Sequence, residues 1–275
     1  MQIIIITTLV IAVIGVIVGA GLVFTGNKFH VEVDERESAV RECLPGNNCG
    51  ACGYAGCDAM AAAIARGEAP VNGCPVGGAP VAKRIGGIMG LEAGDVERKV
   101  AFVRCKGTCD VTRNQGNYVG IKDCRSAVLA GLNVTECGYG CLGFGSCVAV
   151  CPQDAIRVEN GVAMVNRKKC VGCGLCVKAC PRGLIELVPE SRRVAVQCSN
   201  RDRGPLVKKV CSAGCIGCML CTKQCEHDAI HVDANLAHVT YENCTQCGKC
   251  VEKCPVKVIT PPPASASAGT AVEKG

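Results

Sequence analysis

From Ile3 to Phe24 the chain carries no charged residue across 22 positions rich in Ile, Val, Leu, Gly and Ala. As a helix this stretch spans roughly 33 Å, enough to cross a bilayer. Nothing basic precedes it and it is longer than the apolar centre of a cleaved signal, so an uncleaved N-terminal transmembrane helix is expected over residues 1–27. Lys28 and Arg36 follow the span, and the positive-inside bias then sets the bulk of the chain on the cytoplasmic side of the cell (inner) membrane, as a single-pass protein. Further along, the apolar period shortens to two. Ala155 to Val158 and Val162 to Val165 alternate around Asn160-Gly161, which predicts a tight hairpin. Ala229 to Val232 and Ala237 to Tyr241 form an equivalent pair around Asp233 to Asn235, and short helices such as Leu175 to Ala179 are expected after cysteine-rich loops.

Composition decides what holds such short elements together. The chain has 26 cysteines, 3% aromatic residues and no tryptophan, so little large apolar surface is available for a core. Units of this kind depend on disulfides or metal sites. Disulfide frameworks spread their cysteines over separate loops, whereas Cys170, Cys173, Cys176 and Cys180 crowd into eleven residues and run into Pro181. Structural zinc takes a C-x2-C pair from each of two separated knuckles, which is a different pattern. Four thiolates so spaced suit one iron–sulfur core.

An offset of 74 residues relates two halves of the C-terminal region. Cys124, Cys137, Cys141, Cys147, Cys151, Cys170, Cys173, Cys176 and Cys180 recur as Cys198, Cys211, Cys215, Cys221, Cys225, Cys244, Cys247, Cys250 and Cys254 without an insertion. Asp154, Ala155, Ile156 and Val158 match Asp228, Ala229, Ile230 and Val232, and Pro181 matches Pro255. The region is a duplicated module, each copy a small α+β unit whose interior is filled by cofactors. The expected α+β architecture is therefore a transmembrane anchor (1–27), a small Fe–S domain (28–95), a cysteine-containing connector (96–135), two tandem bacterial-type 2[4Fe–4S] ferredoxin-like modules (136–197 and 198–259) and a disordered tail (260–275).

Cys244, Cys247, Cys250, Cys254 and Pro255 spell C-x2-C-x2-C-x3-C-P, the bacterial ferredoxin signature, in which the fourth cysteine serves the neighbouring cluster. In the second module one [4Fe–4S] cluster then takes Cys215, Cys218, Cys221 and Cys254, and its neighbour takes Cys225, Cys244, Cys247 and Cys250. The first module lacks a thiol at the position matching Cys218, where Phe144 stands. Cys137 is the nearest substitute in sequence, giving Cys137, Cys141, Cys147 and Cys180 beside Cys151, Cys170, Cys173 and Cys176; a three-iron cluster without Cys137 is the alternative. Ahead of both modules, Cys49, Cys52, Cys57 and Cys74 lie in a Gly-rich, Pro-bounded stretch that fits a further [4Fe–4S] cluster, with a zinc knuckle as the competing reading. Five clusters are expected. Cys43, Cys105, Cys109, Cys124, Cys198 and Cys211 remain. Either a sixth cluster draws on Cys105, Cys109, Cys124, Cys198 and Cys211, or some of these are buried free thiols; Cys43 is assigned nothing.

These motifs resemble the B subunit of the Rnf complex, the membrane-bound ion-translocating ferredoxin:NAD+ oxidoreductase. The likeness covers nearly the whole chain: the single N-terminal anchor, the run L-P-G-N-N-C-G-A-C-G-Y-A-G-C from Leu44 to Cys57, the stretch Cys141-Leu-Gly-Phe-Gly-Ser-Cys147, and two ferredoxin modules. Short relatives carry one module, so the chain looks like the longer form of anaerobes such as clostridia and acetogens. The resemblance implies that reduced ferredoxin gives electrons to this polypeptide, which passes them toward flavin-bearing and integral membrane subunits and finally NAD+, driving Na+ or H+ outward.

The rest of the sequence fits a carrier of electrons without substrate chemistry of its own. There is no G-x-G-x-x-G fingerprint after a strand and no P-loop, so nucleotide binding is expected on a partner, and nucleic acid is not an expected ligand. A net charge of +6 is mild; Arg167 to Lys169, Arg192 and Arg193, and Lys208 and Lys209 are either a docking surface for an acidic ferredoxin or a solvated face that offsets cluster charge. His30, His227, His231 and His238 lack metal-ligand spacing. Two rival classes stand: the polyferredoxin subunit of another anaerobic membrane complex, a hydrogenase or formate-oxidising one, and a zinc-stabilised scaffold without redox activity.

Overall fold

The computed structural model of the chain describes residues 2–28, 34–94, 97–116, 118–131 and 133–261. The expected anchor is a continuous helix, α1 (Gln2–Lys28). Among the described residues, however, no helix is long and apolar enough to cross a membrane.

Three helices make the next unit: α2 (Glu35–Cys43), α3 (Cys57–Ala65) and α4 (Gly78–Met89). The Asp34 carboxylate caps α2 by accepting the Arg36 N–H, and α4 ends at Gly90 in the left-handed region. Val40, Met60, Ile64 and Ile85 meet between the helices and are fully buried, each worth about 1.5–3 kcal/mol of apolar transfer. Ala61 and Ala63 keep the helices close. This packing fixes the loops that carry the first four motif cysteines, since Cys57 opens α3 and Cys74 lies between α3 and α4.

The first module comprises β1 (Lys99–Val103), α5 (Cys124–Leu129), α6 (Ser146–Ala149), β2 (Ile156–Glu159), β3 (Val162–Val165), α7 (Leu175–Ala179) and β4 (Ile185–Pro189). The anticipated hairpin is β2–β3, paired from Ile156↔Val165 to Glu159↔Val162, with Asn160 and Gly161 both at positive φ. The segment read as a connector supplies β1, which pairs antiparallel with β4 from Lys99↔Pro189 to Val103↔Ile185. Val100 to Val103 are all buried, joining Ile156, Val162, Ile185 and Val188 in one core with several cysteines.

The second module follows as α8 (Gly204–Val210), α9 (Leu220–Gln224), β5 (Ile230–Asp233), β6 (Leu236–Val239) and α10 (Lys249–Lys253). Its hairpin turns tightly at Ala234 and Asn235, narrower than the expected Asp233 to Asn235 turn and in register with Asn160 and Gly161 of the first copy. One contact repeats at the same offset. Gly143, at φ +74, packs so closely under the first hairpin turn that a Cβ would lie 2.7 Å from the Gly161 carbonyl oxygen; Gly217, at φ +63, is 2.8 Å from that of Asn235 by the same measure. The β1–β4 pair shrinks here to a single bridge, Val196↔Ile259. The tail expected from 260 onward lies outside the described residues from 262.

Candidate metal centres

All 26 cysteines are free thiols, and the fold gathers most of them into groups of four. In the helical unit Cys57 is set at the start of α3 by its N–H, which donates to Asn48 Oδ1 at 2.8 Å, and Cys74 Sγ accepts the Gly77 N–H at 3.4 Å. Burial pushes the Cys74 thiol up, and the adjacent Cys52 and Cys57 thiols add to the effect.

In the first module Cys151, Cys170, Cys173 and Cys176 stand together. Burial, then Cys170, Cys173, Cys147 and Cys151, push the Cys176 thiol up to about 12. Cys170 Sγ accepts the Ala101 N–H of β1 at 3.3 Å, and Cys151 Sγ accepts that of Ala155 at 3.4 Å. Arg98 braces this loop by donating to the carbonyls of Arg167, Lys168 and Cys170 while paired with Glu190. Cys173 is raised chiefly by burial, with Cys49 of the helical unit and Cys151 among the thiols around it.

The neighbouring group departs from the sequence expectation. A cavity walled by Val103, Leu142, Val158, Leu184 and Ile185 is lined by Cys124, Cys141, Cys147 and Cys180; Cys137 is not among its walls. Burial pushes Cys147 up to about 11, followed by the Cys141, Cys124 and Cys180 thiols. Cys124 arrives here because Ser146, the first residue of α6, accepts the Cys124 N–H at 2.8 Å and donates to Asp123 at 2.6 Å, while Asp123 caps α5 through the Ser126 N–H. Phe144, at the thiol-free position, stacks on Tyr118 with ring centroids 4.9 Å apart.

In the second module the thiols lie in two adjoining places. Cys225, Cys244, Cys247 and Cys250 line one cavity, and Cys250 is pushed up to about 12 by burial and then by Cys244, Cys247, Cys221 and Cys225. Cys215, Cys221 and Cys254 are buried in the adjoining core, with Cys218 near Cys221 and exposed. Cys244 Sγ accepts from Gln246 Nε2 at 3.1 Å, and Cys225 Sγ from the Ala229 N–H at 3.3 Å.

A further cavity is lined by Cys105, Cys137, Cys198 and Cys211. Of the five thiols considered for a sixth cluster, three are present, Cys137 joins them, Cys124 is in the cavity beside α6, and Cys109 is exposed. The Cys109 N–H donates to the Asn160 carbonyl at 2.9 Å, tying it to the first hairpin turn. Cys43 packs against the helical core. One residue in each of two basic clusters is a brace: half-buried Arg167 donates to the Pro189, Glu190 and Arg192 carbonyls, and Arg192 to that of Cys244 at 2.6 Å, while Lys168, Lys169 and Arg193 stay exposed.

Among the described residues, no three or more His, Cys, Asp or Glu side chains draw close enough to hold a single metal ion. The thiols instead ring small cavities. Their donors are sulfur alone, backbone N–H groups point at several of the sulfurs, and the walls are largely apolar, which is the chemistry that [4Fe–4S] binding requires.

Comparison with known proteins agrees with this donor set. A family model for an Fe-S cluster matches residues 44–76, and models for a 4Fe-4S dicluster domain match residues 135–185, 169–230 and 214–258. The B subunit of the Na(+)-translocating ferredoxin:NAD(+) oxidoreductase complex of Acetobacterium woodii is 46% identical over 91% of this chain and 76% of its own length. The B subunit of the ion-translocating oxidoreductase complex of Methanosarcina acetivorans is 42% identical over 91% of this chain and 95% of its own. Its counterpart in the proton-translocating ferredoxin:NAD(+) oxidoreductase complex of Clostridium ljungdahlii is 42% identical over 94% and 93%.

Proposed function

We propose, since this chain belongs to the family of B subunits of ion-translocating oxidoreductase complexes, that it takes electrons from reduced ferredoxin and relays them toward flavin-bearing subunits and NAD+, with Na+ or H+ moved outward. The chain is an electron-transfer subunit with 4Fe–4S dicluster domains. The observation that carries the finer reading is the contiguity of its thiol groups: Cys49 of the helical unit neighbours Cys173, Cys147 neighbours Cys176, and Cys221 neighbours Cys250. Five [4Fe–4S] clusters follow, one on each of Cys49, Cys52, Cys57 and Cys74; Cys151, Cys170, Cys173 and Cys176; Cys124, Cys141, Cys147 and Cys180; Cys215, Cys218, Cys221 and Cys254; and Cys225, Cys244, Cys247 and Cys250. Each supplies one-electron chemistry, tuned by N–H···S bonds and exposure.

The second module is where ferredoxin docks on this reading. Cys218 and Cys247 are exposed there, as are Lys208, Lys209 and Lys223, whose charge steers an acidic partner. Anaerobic protein mixed with reduced ferredoxin should gain the EPR signals of its own reduced clusters as ferredoxin loses its signal, at a rate that falls as salt rises. A chain loaded with zinc, or one that ferredoxin leaves oxidised at any ionic strength, would overturn the assignment. The charge-free run from Ile3 to Phe24 supports a membrane anchor with the modules in the cytoplasm. Resistance of the membrane-bound chain to alkaline carbonate extraction tests this, and release into the wash would refute it.

A further inference from the structure

We infer that Cys105, Cys137, Cys198 and Cys211 hold a sixth [4Fe–4S] cluster, and that this cluster is the bridge that makes the two ferredoxin modules one conductor. The inference rests on the five-cluster reading and extends it to a site built from neither ferredoxin signature. Its four thiols come from three separate places: Cys105 just after β1, Cys137 in the run before the first module's cysteine loop, and Cys198 and Cys211 on either side of α8. All four are buried and line the same cavity.

The surroundings are made for sulfur. A Cβ on Gly107 would stand 3.5 Å from Cys105 Sγ and 3.7 Å from Cys211 Sγ, so one methyl-sized point touches both. Asn200, only 2% exposed, donates its backbone N–H to Cys198 Sγ at 3.4 Å and its Nδ2 to Cys137 Sγ at 3.6 Å. The Asn200 side-chain oxygen accepts the Asp202 N–H at 2.7 Å, which fixes the buried amide with its Nδ2 on the Cys137 sulfur, where burial without such a partner would be costly. Arg104 and Lys106 at the cavity wall offset the negative charge that a thiolate-bound cluster brings.

The position explains the need. Cys105 Sγ accepts the N–H of Cys141, a thiol of the first module's group, at 3.4 Å; Cys198 Sγ accepts that of Cys215, from the second module's group, also at 3.4 Å. The site is hydrogen-bonded to a cysteine of the adjacent group at both ends. An electron crossing it oxidises one module by one electron and reduces the other by one, with no bond made and no proton carried. Six groups of four then account for every cysteine except Cys43 and Cys109.

The test uses the full chain, matured anaerobically, with iron and acid-labile sulfide counted per chain and spins counted by EPR after dithionite. The wild type should carry about 24 irons, and Cys211→Ala and Cys105→Ser should each lose about four irons and four sulfides together with one reduced-cluster signal. Cys109→Ala and Cys43→Ala should lose none. A wild type that stops at about 20 irons overturns the bridge while leaving the five-cluster reading intact, and so does a Cys211→Ala chain with unchanged iron. Zinc in place of iron sinks both. Should Cys211→Ala unfold, the wild-type count alone still decides.

Discussion

Gly172 lies between Cys170 and Cys173 at φ +67, and a Cβ there would meet the Lys99 carbonyl oxygen at 2.3 Å and its carbon at 3.1 Å. Gly183, just after the last cysteine of the same motif, has φ +59 with open space around it. Replacing either by alanine incurs the left-handed penalty of about 1 kcal/mol. Only Gly172→Ala also drives a methyl into β1. The Lys99 carbonyl has little freedom to retreat, because Lys99 is paired with Pro189 and the next strand residues are buried. Relieving overlaps of this kind costs about 1–3 kcal/mol. Gly172→Ala should therefore destabilise by about 2–4 kcal/mol and Gly183→Ala by about 1 kcal/mol. At about 2–4 °C per kcal/mol for chains of this size, the melting temperature falls by about 5–15 °C in the first and about 2–4 °C in the second. Anaerobic visible circular dichroism on the cluster-loaded chain reads this directly. Equal shifts in the two variants would refute the claim that β1 presses on the cysteine loop.

Cys124→Ala should remove about four irons, and adding Phe144→Cys should restore them, because the second substitution recreates the C-x2-C-x2-C spacing of the second module. Iron counts that ignore Cys124→Ala would show that Cys124 is no ligand. Acid should drive cluster loss: in the cluster-free fold burial holds Cys105 and Cys147 protonated up to about 11 and Cys176 and Cys250 up to about 12, whereas ligation needs thiolates. Cluster uptake thus expels protons at every pH below those values, and falling pH opposes it. Chelator-driven iron release, followed anaerobically from mildly alkaline to mildly acidic buffer, should rise as pH falls; a flat or inverted profile contradicts the sign.

The local parts of the fold could be read in advance because their causes are local. Asn160-Gly161 forces a tight turn at positive φ, the α7 helix follows its cysteine loop as expected, and the offset of 74 carries both over to the second copy. Pairing of β1 with β4 had no such signature: Val100 to Val103 are apolar without alternation, and their partners stand more than eighty residues away. The choice between Cys124 and Cys137 was hidden for a similar reason. Proximity in sequence favoured Cys137, but Cys124 sits at the first position of α5, whose end is stitched to α6 by Asp123 and Ser146. Asp123 with Ser126 was the available hint, since it marks a helix start at Cys124.

The two copies differ in how one equivalent thiol is used, and that difference is what lets them be joined. On the six-cluster reading Cys218 completes its group in the second copy, so Cys198, the counterpart of Cys124, is left to line the cavity between the modules. In the first copy Phe144 packs on Tyr118 where that thiol would be, and Cys124 is drawn in to close the ring. Cys137 and its counterpart Cys211 then meet across the junction with Cys105 and Cys198. Had both copies kept a thiol at the Cys218 position, Cys124 would have no cluster to serve; had both lost it, Cys198 would be consumed and the junction left with three thiols. One substitution in one copy is therefore enough to give each module its ligands and still leave four for the joint.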